Sequence, residues 1–379
     1  MDIFTLTMTP INPPADDSVK NMAMGLVKNV KRHRFIFISY AFGSAFERCE
    51  NVKFIRSPFQ RPGKHSMSLL QKLFAFFVIM TSWRRIDLFQ FFVTPQAYFS
   101  RFFRWFFRRT GKRSIIILSS INTLGRKNKT VAIKDLFFSD RVVTYTDFSK
   151  KELEALGVKN VVRIYPGIDI DRFDPRNVSS SGIVPYKGKK ILYAGAYSIL
   201  DGSYSFGDLC SIVEGVSNVR KDVIFVMACR IRTAKDIVLE KKFKAMAGKR
   251  GLTERFVFLN TVKDMAGLIK ECDIGIMPAK ARMAGVLETP MVLLETACMS
   301  KCVIYTDVAP LNELHDNGIG IMLPSQSPAY AYVNVILDII GDERKYAEIA
   351  ACSSSGVREN FSITRMADKY SELYDSLKG

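Results

Sequence analysis

The stretch that most constrains this chain runs from Glu271 to Asp307, where two short apolar runs flank a loop and a helical segment. Cys272–Pro278 and Cys302–Tyr305 read as buried strands. Between them Thr289 suits an N-cap and Pro290 the first helical position, so a helix is predicted to start there. A helix N-terminus beside the carboxyl end of a strand is a ready anion site. Glu288 falls in the loop just before that helix, and Glu295 lies nearly two turns into it. An acidic side chain near an anion site can accept hydrogen bonds from sugar hydroxyls, and that pairing points to a nucleotide-sugar pocket.

The remainder of the chain is consistent with two layered α/β halves. Ile3–Thr7, a helix over Val19–Lys31 and Arg34–Ser39 form a first βαβ unit, and Ser114–Ser119 and Asp140–Thr146 add strands. A helix over Ser149–Leu156 ends at Gly157. Asn177–Lys189, rich in Ser, Gly and Lys, reads as a linker. Beyond it come apolar runs at Lys190–Gly195, Val223–Ala228, Phe256–Asn260, Asp273–Met277 and Cys302–Tyr305, with helices between them. The last segment, Ile363–Leu377, carries Met366, Tyr370 and Leu373 at helical spacing. At 379 residues the chain has room for two cores.

Charge narrows the partners. A net charge of +18 points to an anionic partner: nucleic acid, lipid or a phosphorylated substrate. Between Leu69 and Arg113 lie eleven Phe, both Trp and nine Lys or Arg against the single acid Asp87. Within it Gln96–Arg109 is an amphipathic helix, with Phe99, Phe102, Phe103 and Phe106 on one face and Arg101, Arg104 and Arg108 on another. Trp105 and Phe107 fall outside the apolar stripe. Packing on a sheet accounts for that stripe. The surplus aromatics and arginines suit an anionic membrane surface, with Arg101, Arg104, Trp105 and Arg108 facing it. Nucleic acid is the weaker reading, because the aromatics keep helical period and no RNA- or DNA-binding motif accompanies them.

Seven scattered cysteines with no CxxC pair suggest reduced thiols and a cytoplasmic setting, and no signal peptide is evident. The longest apolar run, Leu73–Trp83, is too short to span a bilayer. The expected location is therefore cytoplasmic, with peripheral attachment to the inner face of the membrane. Asp169 and Asp171 look like a DxD metal motif, but their place between Gly167 and Arg172-Phe173 favours a structural role.

Taken in order, Ser149–Gly157, Pro166-Gly-Ile-Asp169 with Arg172–Pro175, Lys190–Gly195, Cys272–Pro278 and Glu288–Ile304 resemble segments of GT-B glycosyltransferases of the retaining GT4 type. The resemblance covers roughly the last two-thirds of the chain. It implies an α/β fold of two Rossmann-like doubly wound domains facing a cleft: an acceptor-side domain over 1–176, a linker over 177–189, a donor domain over 190–360, and a helix over 361–379 crossing back. It implies transfer of a sugar, with retention, from a nucleoside diphosphate sugar, without a metal or other cofactor; the basic aromatic stretch suggests a lipid-linked or polysaccharide acceptor. Glu295 would bind the donor ribose, Glu288 would face the sugar, and Met291, Val292 and Leu293 would offer main-chain amides near the phosphates. Gly195 and Pro278 would line the same donor site.

Several positions depart from the family pattern. Glu288 and Glu295 are seven apart where the family has eight. The basic residues that usually follow the glycine turn are Ala196 and Asp201 here, so Arg230, Arg232, Lys280 and Arg282 are the candidates for the diphosphate, Arg230 also for catalysis. Asp16 and Asp17, with Ser18, stand on the acceptor side where a glycine pair is usual. These departures keep a second reading open, a binding or scaffold protein on the same fold with a degenerate pocket.

Overall fold

The computed structural model describes residues 1–7, 18–39, 49–59, 67–121, 124, 131–197, 200, 206–231, 233–280 and 289–378. The chain divides into two compact units. The first comprises Met1–Gly167 with Ile363–Gly379, and the second the described residues between Ile168 and Ser362.

The first unit is built on a seven-stranded, all-parallel sheet in the order β3-β2-β1-β4-β5-β6-β7. Its strands are β1 (Asp2–Thr7), β2 (Arg34–Ser39), β3 (Val52–Arg56), β4 (Leu88–Phe92), β5 (Arg113–Leu118), β6 (Arg141–Thr144) and β7 (Val161–Arg163). The chain runs outward from β1 to β2 and β3, then returns to β4 on the other side of β1, so its order reverses between β1 and β4. The helices are α1 (Ser18–Asn29), α2 (Leu69–Ser82), α3 (Ala97–Thr110) and α4 (Asp147–Ala155). Two of the strands, β3 and β4, carry no clean signal of their own. Every residue of β4 is buried, so its run Leu-Phe-Gln-Phe-Phe shows no alternation.

α2 begins with a capping box. The Ser68 hydroxyl accepts from the Gln71 amide at 3.3 Å, and the Gln71 side chain accepts from the Ser68 amide at 2.6 Å. α3 ends on Gly111, whose amide donates to the Phe107 carbonyl at 2.9 Å. The two helices share one core with β1, β2, β4 and β5, built from Val78, Ile79, Phe103, Phe106, Phe107, Phe89 and Phe91 among others. Phe107, expected outside the apolar stripe of α3, is buried and stacks on Phe138 at 5.9 Å. The buried face of α3 is Ser100, Phe103, Phe106 and Phe107, while Phe99, expected in the stripe, is exposed.

The second unit has a six-stranded parallel sheet in the order β10-β9-β8-β11-β12-β13. Its strands are β8 (Lys189–Ala194), β9 (Val223–Ala228), β10 (Phe256–Leu259), β11 (Ile274–Met277), β12 (Cys302–Thr306) and β13 (Ile321–Leu323). The helices are α5 (Phe206–Val219), α6 (Ala234–Lys249), α7 (Met265–Glu271), α8 (Met291–Cys298), α9 (Asn312–His315), α10 (Ala329–Gly341) and α11 (Glu343–Asn360). The order again reverses, here between β8 and β11. The stretch read as a linker is fastened to this unit. Glu271 accepts from the Ser181 hydroxyl at 2.5 Å and the Val184 amide at 3.3 Å.

The chain leaves the second unit at Ser362 and re-enters the first as α12 (Ile363–Asp375). Met366, Tyr370, Leu373 and Tyr374 are buried there, and the Tyr374 hydroxyl donates to Gln90 of β4. Among the described residues no helix is long and apolar enough to cross a membrane.

Candidate functional site

In open α/β sheets a ligand crevice forms at the carboxyl ends of the strands where strand order reverses, because flanking loops part to opposite faces there. In the second unit that place lies between β8 and β11. Gly195 follows β8 and Pro278 follows β11, while Arg230 stands at the carboxyl end of the adjacent β9. Three of the residues singled out from the sequence therefore lie at neighbouring strand ends. Gly195 has a physical reason to be glycine: a Cβ there would lie 2.8 Å from the buried Tyr193 hydroxyl. Ala196, after it, supplies no charge.

α8 starts one residue later than the sequence suggested. Pro290 is its N-cap, with φ −67° and ψ 101°, and Met291 is the first helical residue; Thr289 is buried and is not the cap. Proline fits because the cap position requires an extended backbone and no donor. The Leu293 amide donates to the Pro290 carbonyl at 3.0 Å, and the Leu293 side chain is buried. This leaves Met291 and Val292 as the first-turn amides with no acceptor inside the helix. The helix lies close on the sheet because β11 carries Gly275: a Cβ there would sit 3.0 Å from Thr296 Cγ2 and 3.3 Å from Val303 Cγ1. Thr296 itself donates to the Val292 carbonyl at 2.6 Å.

With Thr296 against the sheet, Glu295 sits beside it on a partly buried side of α8. Burial pushes the Glu295 carboxyl up to about 7, against the opposing pull of the Arg172 guanidinium. A carboxyl with a value raised by burial makes Glu295 a candidate for a functional site. Arg172 was not singled out for the site from the sequence. It follows a turn in which the Asp169 carboxylate accepts from the Arg172 amide at 3.1 Å, and this spacing of Asp and Arg was the signal available. Asp169 is thus occupied by the backbone, in keeping with a structural role. Asp174 accepts from Arg176 at 2.7 Å and from Arg358 at 3.5 Å, and these guanidinium groups hold its carboxyl far below the usual range. Among the described residues no cluster of His, Cys, Asp and Glu could hold a metal ion.

Other candidates are placed differently. Lys280 pairs with Asp208 in the first turn of α5 at 2.9 Å, so its charge is partly committed within the unit. Glu288, Arg232, Arg282, Asp16 and Asp17 lie outside the described residues, and Ser18 is described only as the start of α1.

In the first unit Arg101, Arg104, Trp105 and Arg108 come together with Arg109 around an open concavity of about 430 Å³. Arg104 also donates to the Asp135 carbonyl at 2.6 Å and the Phe137 carbonyl at 3.2 Å, so it ties α3 to the 3-10 turn at Ile133–Leu136. Trp105 is 58% exposed. The sequence reading missed the outer face of α2, where Leu69, Leu70, Leu73, Phe77 and Met80 are exposed. Phe76 of α2 meets Phe102 of α3 at 4.7 Å, and Phe102 meets Trp105 at 5.8 Å, linking the apolar face to the cationic one.

Two Rossmann-like domains in one chain, with a helix returning from the second to the first, define the GT-B fold class. Comparison with solved structures agrees. The chain is similar to Anabaena Alr3699/HepE in complex with UDP and glucose, at 17% identity and a TM-score of 0.73, covering 99% of this chain and 100% of that one. It is similar to a glycosyltransferase from Rickettsia africae at 18% identity and a TM-score of 0.70, covering 99% and 98%. It is also similar to a sucrose-phosphate synthase from Thermosynechococcus elongatus at 14% identity and a TM-score of 0.73, covering 100% and 99%. Residues 189–342 match the family described as Glycosyl transferases group 1, so the resemblance read from the sequence holds for the unit that carries Glu295. No curated protein matches the sequence.

Proposed function

We propose that the protein is a retaining glycosyltransferase that uses a nucleoside diphosphate sugar and acts on a glycan or lipid-linked acceptor at a membrane surface. The observation that carries this reading is Glu295 with its raised carboxyl value, on α8 directly after the switch-point strand β11, inside the segment that matches the glycosyltransferase family. Glu295 accepts hydrogen bonds from the donor ribose. The amides of Met291 and Val292, at the positive end of α8, face the diphosphate. Arg230 adds charge to the departing diphosphate, and Arg172 holds the field around Glu295. Electrostatic stabilisation of the leaving group, rather than a protein nucleophile, drives the transfer. The site needs no metal, since helix end and guanidinium groups supply the positive charge. Glu288 faces the sugar.

The acceptor reading draws on the first unit. Exposed apolar side chains on α2 and arginines on α3 suit an anionic lipid surface better than a nucleic-acid groove, because an interface takes up large apolar mass. The protein works in the cytoplasm as a peripheral membrane enzyme.

Turnover of a panel of UDP- and GDP-sugars tests the activity, with Glu295→Ala as the diagnostic variant. Removing a charged hydrogen-bonding partner of the ribose weakens donor binding by about 10- to 100-fold. A folded Glu295→Ala protein that turned over like the wild type would remove Glu295 from the site. Ala196 at the glycine turn favours the second reading, a binding or scaffold protein with a degenerate donor pocket; no saturable binding of UDP or GDP would select it.

A further inference from the structure

The reversal of strand order that marks the donor site in the second unit also occurs in the first, between β1 and β4. The crevice there is not polar. It is a cavity of about 70 Å³ lined by Leu6 of β1, Phe91 of β4, Ala75 and Ile79 of α2, and Phe99 and Phe103 of α3. Lys72 is the one cation among its described lining residues. A water needs only ~10–15 Å³ of such space but also two or more polar partners, and an apolar cavity of ~150 Å³ stays dry and takes up benzene. The volume here suits a short run of methylene groups, and of the lining residues only Lys72, Thr94 and Gln96 are polar.

We propose that this cavity is a binding site for the hydrocarbon chain of an amphiphilic acceptor whose anionic headgroup meets Lys72. The inference rests on the glycosyltransferase reading and names the acceptor's class: a lipid with an aliphatic chain bearing a phosphate or similar charge. Three observations converge on it. The cavity occupies the position where sheets of this kind place ligands. Its lining is mostly aliphatic and aromatic, and beside Thr94 and Gln96 it carries the Lys72 charge, complementary to an anionic head. The outer face of α2, the helix that forms one wall, carries Leu69, Leu73 and Phe77 at 71%, 55% and 61% exposure, so a chain lifted from a bilayer passes over apolar surface to reach it. An apolar peptide side chain is the alternative occupant.

Dodecyl phosphate below its micelle concentration is the probe, with methyl phosphate as the chainless control, both titrated calorimetrically against the full chain. Dodecyl phosphate binds saturably and methyl phosphate does not. Ala75→Phe, which fills the cavity, weakens dodecyl phosphate binding at least tenfold. Phe99→Asp, at a rim position already 36% exposed and so compatible with folding, does the same with an unchanged melting temperature. No dodecyl phosphate binding by the wild type, equal binding by wild type and Phe99→Asp, or equal competition by methyl phosphate would each overturn the proposal. So would saturable binding of an amphipathic peptide with no binding of the alkyl phosphate. Failure of the glycosyltransferase reading shows separately, as intact chain binding with no turnover of any nucleotide sugar.

Discussion

Glu295 links stability to pH. Its carboxyl lies near 7 in the fold and near 4.5 when unfolded, so the native state holds the extra proton between those values. Stability therefore falls as pH rises from about 4.5 to 7, by about 2 to 3 kcal/mol, less whatever water at its exposed edge relieves. Glu295→Gln removes that slope and is more stable than the wild type at pH 8; chemical denaturation at pH 5 and pH 8 measures both. The same chemistry predicts a proton released on nucleotide binding near pH 6.5, since ribose hydroxyls favour the ionised carboxylate. Calorimetry in buffers of different ionisation enthalpy reads that proton directly, and a buffer-independent heat would contradict the ribose role. Gly275 is the second residue on which the proposed site depends. Gly275→Val forces Thr296 and Val303 apart, costs about 1 to 3 kcal/mol and shifts α8, so donor affinity drops along with the melting temperature. Glu295 could be read from the sequence because a helix between two apolar strands carried it. The turn holding Arg172 left a signal in the Asp–Arg spacing, but its place near Glu295 could not be read, since that depends on how a segment more than a hundred residues away folds back.

At the scale of elements, α2 and α3 divide one task. Both pack inward on the same Phe-rich core, and outward they present different chemistry, aliphatic on α2 and cationic on α3. Substituting Leu73→Ser with Phe77→Ser removes two exposed side chains, so the melting temperature changes little while flotation with vesicles containing anionic lipid is lost. Retained flotation would place membrane contact elsewhere. Phe106→Ala behaves in the opposite way: it empties a core site beside Phe89 and costs about 3 to 5 kcal/mol, seen as a lower denaturation midpoint. Helical period in the sequence separated phenylalanine from arginine on α3. It did not show that α2 leaves a leucine face in water, because the apolar run Leu73–Trp83 reads as core on every side until its neighbours are placed.

At the scale of the molecule, each unit repeats one plan, a parallel sheet whose strand order reverses beside its first strand. A nucleotide that binds only the folded second unit raises its stability by mass action, about 2.7 kcal/mol at a hundredfold excess over the dissociation constant. Thermal unfolding with rising UDP or GDP shows that as a concentration-dependent midpoint, and a fixed midpoint with both nucleotides would argue against the donor site. The alternation of apolar runs with amphipathic segments determined the two α/β halves, most of their strands and the helix bearing Glu295, because periodicity and capping are local properties of the chain. Strand order is not local. Only the tertiary structure decided that each sheet reverses beside its first strand. It also decided that Gly195, Arg230 and Pro278 end on adjacent strands, and that the crevice of the first sheet is lined by hydrocarbon, since those facts arise when segments far apart in sequence are packed together.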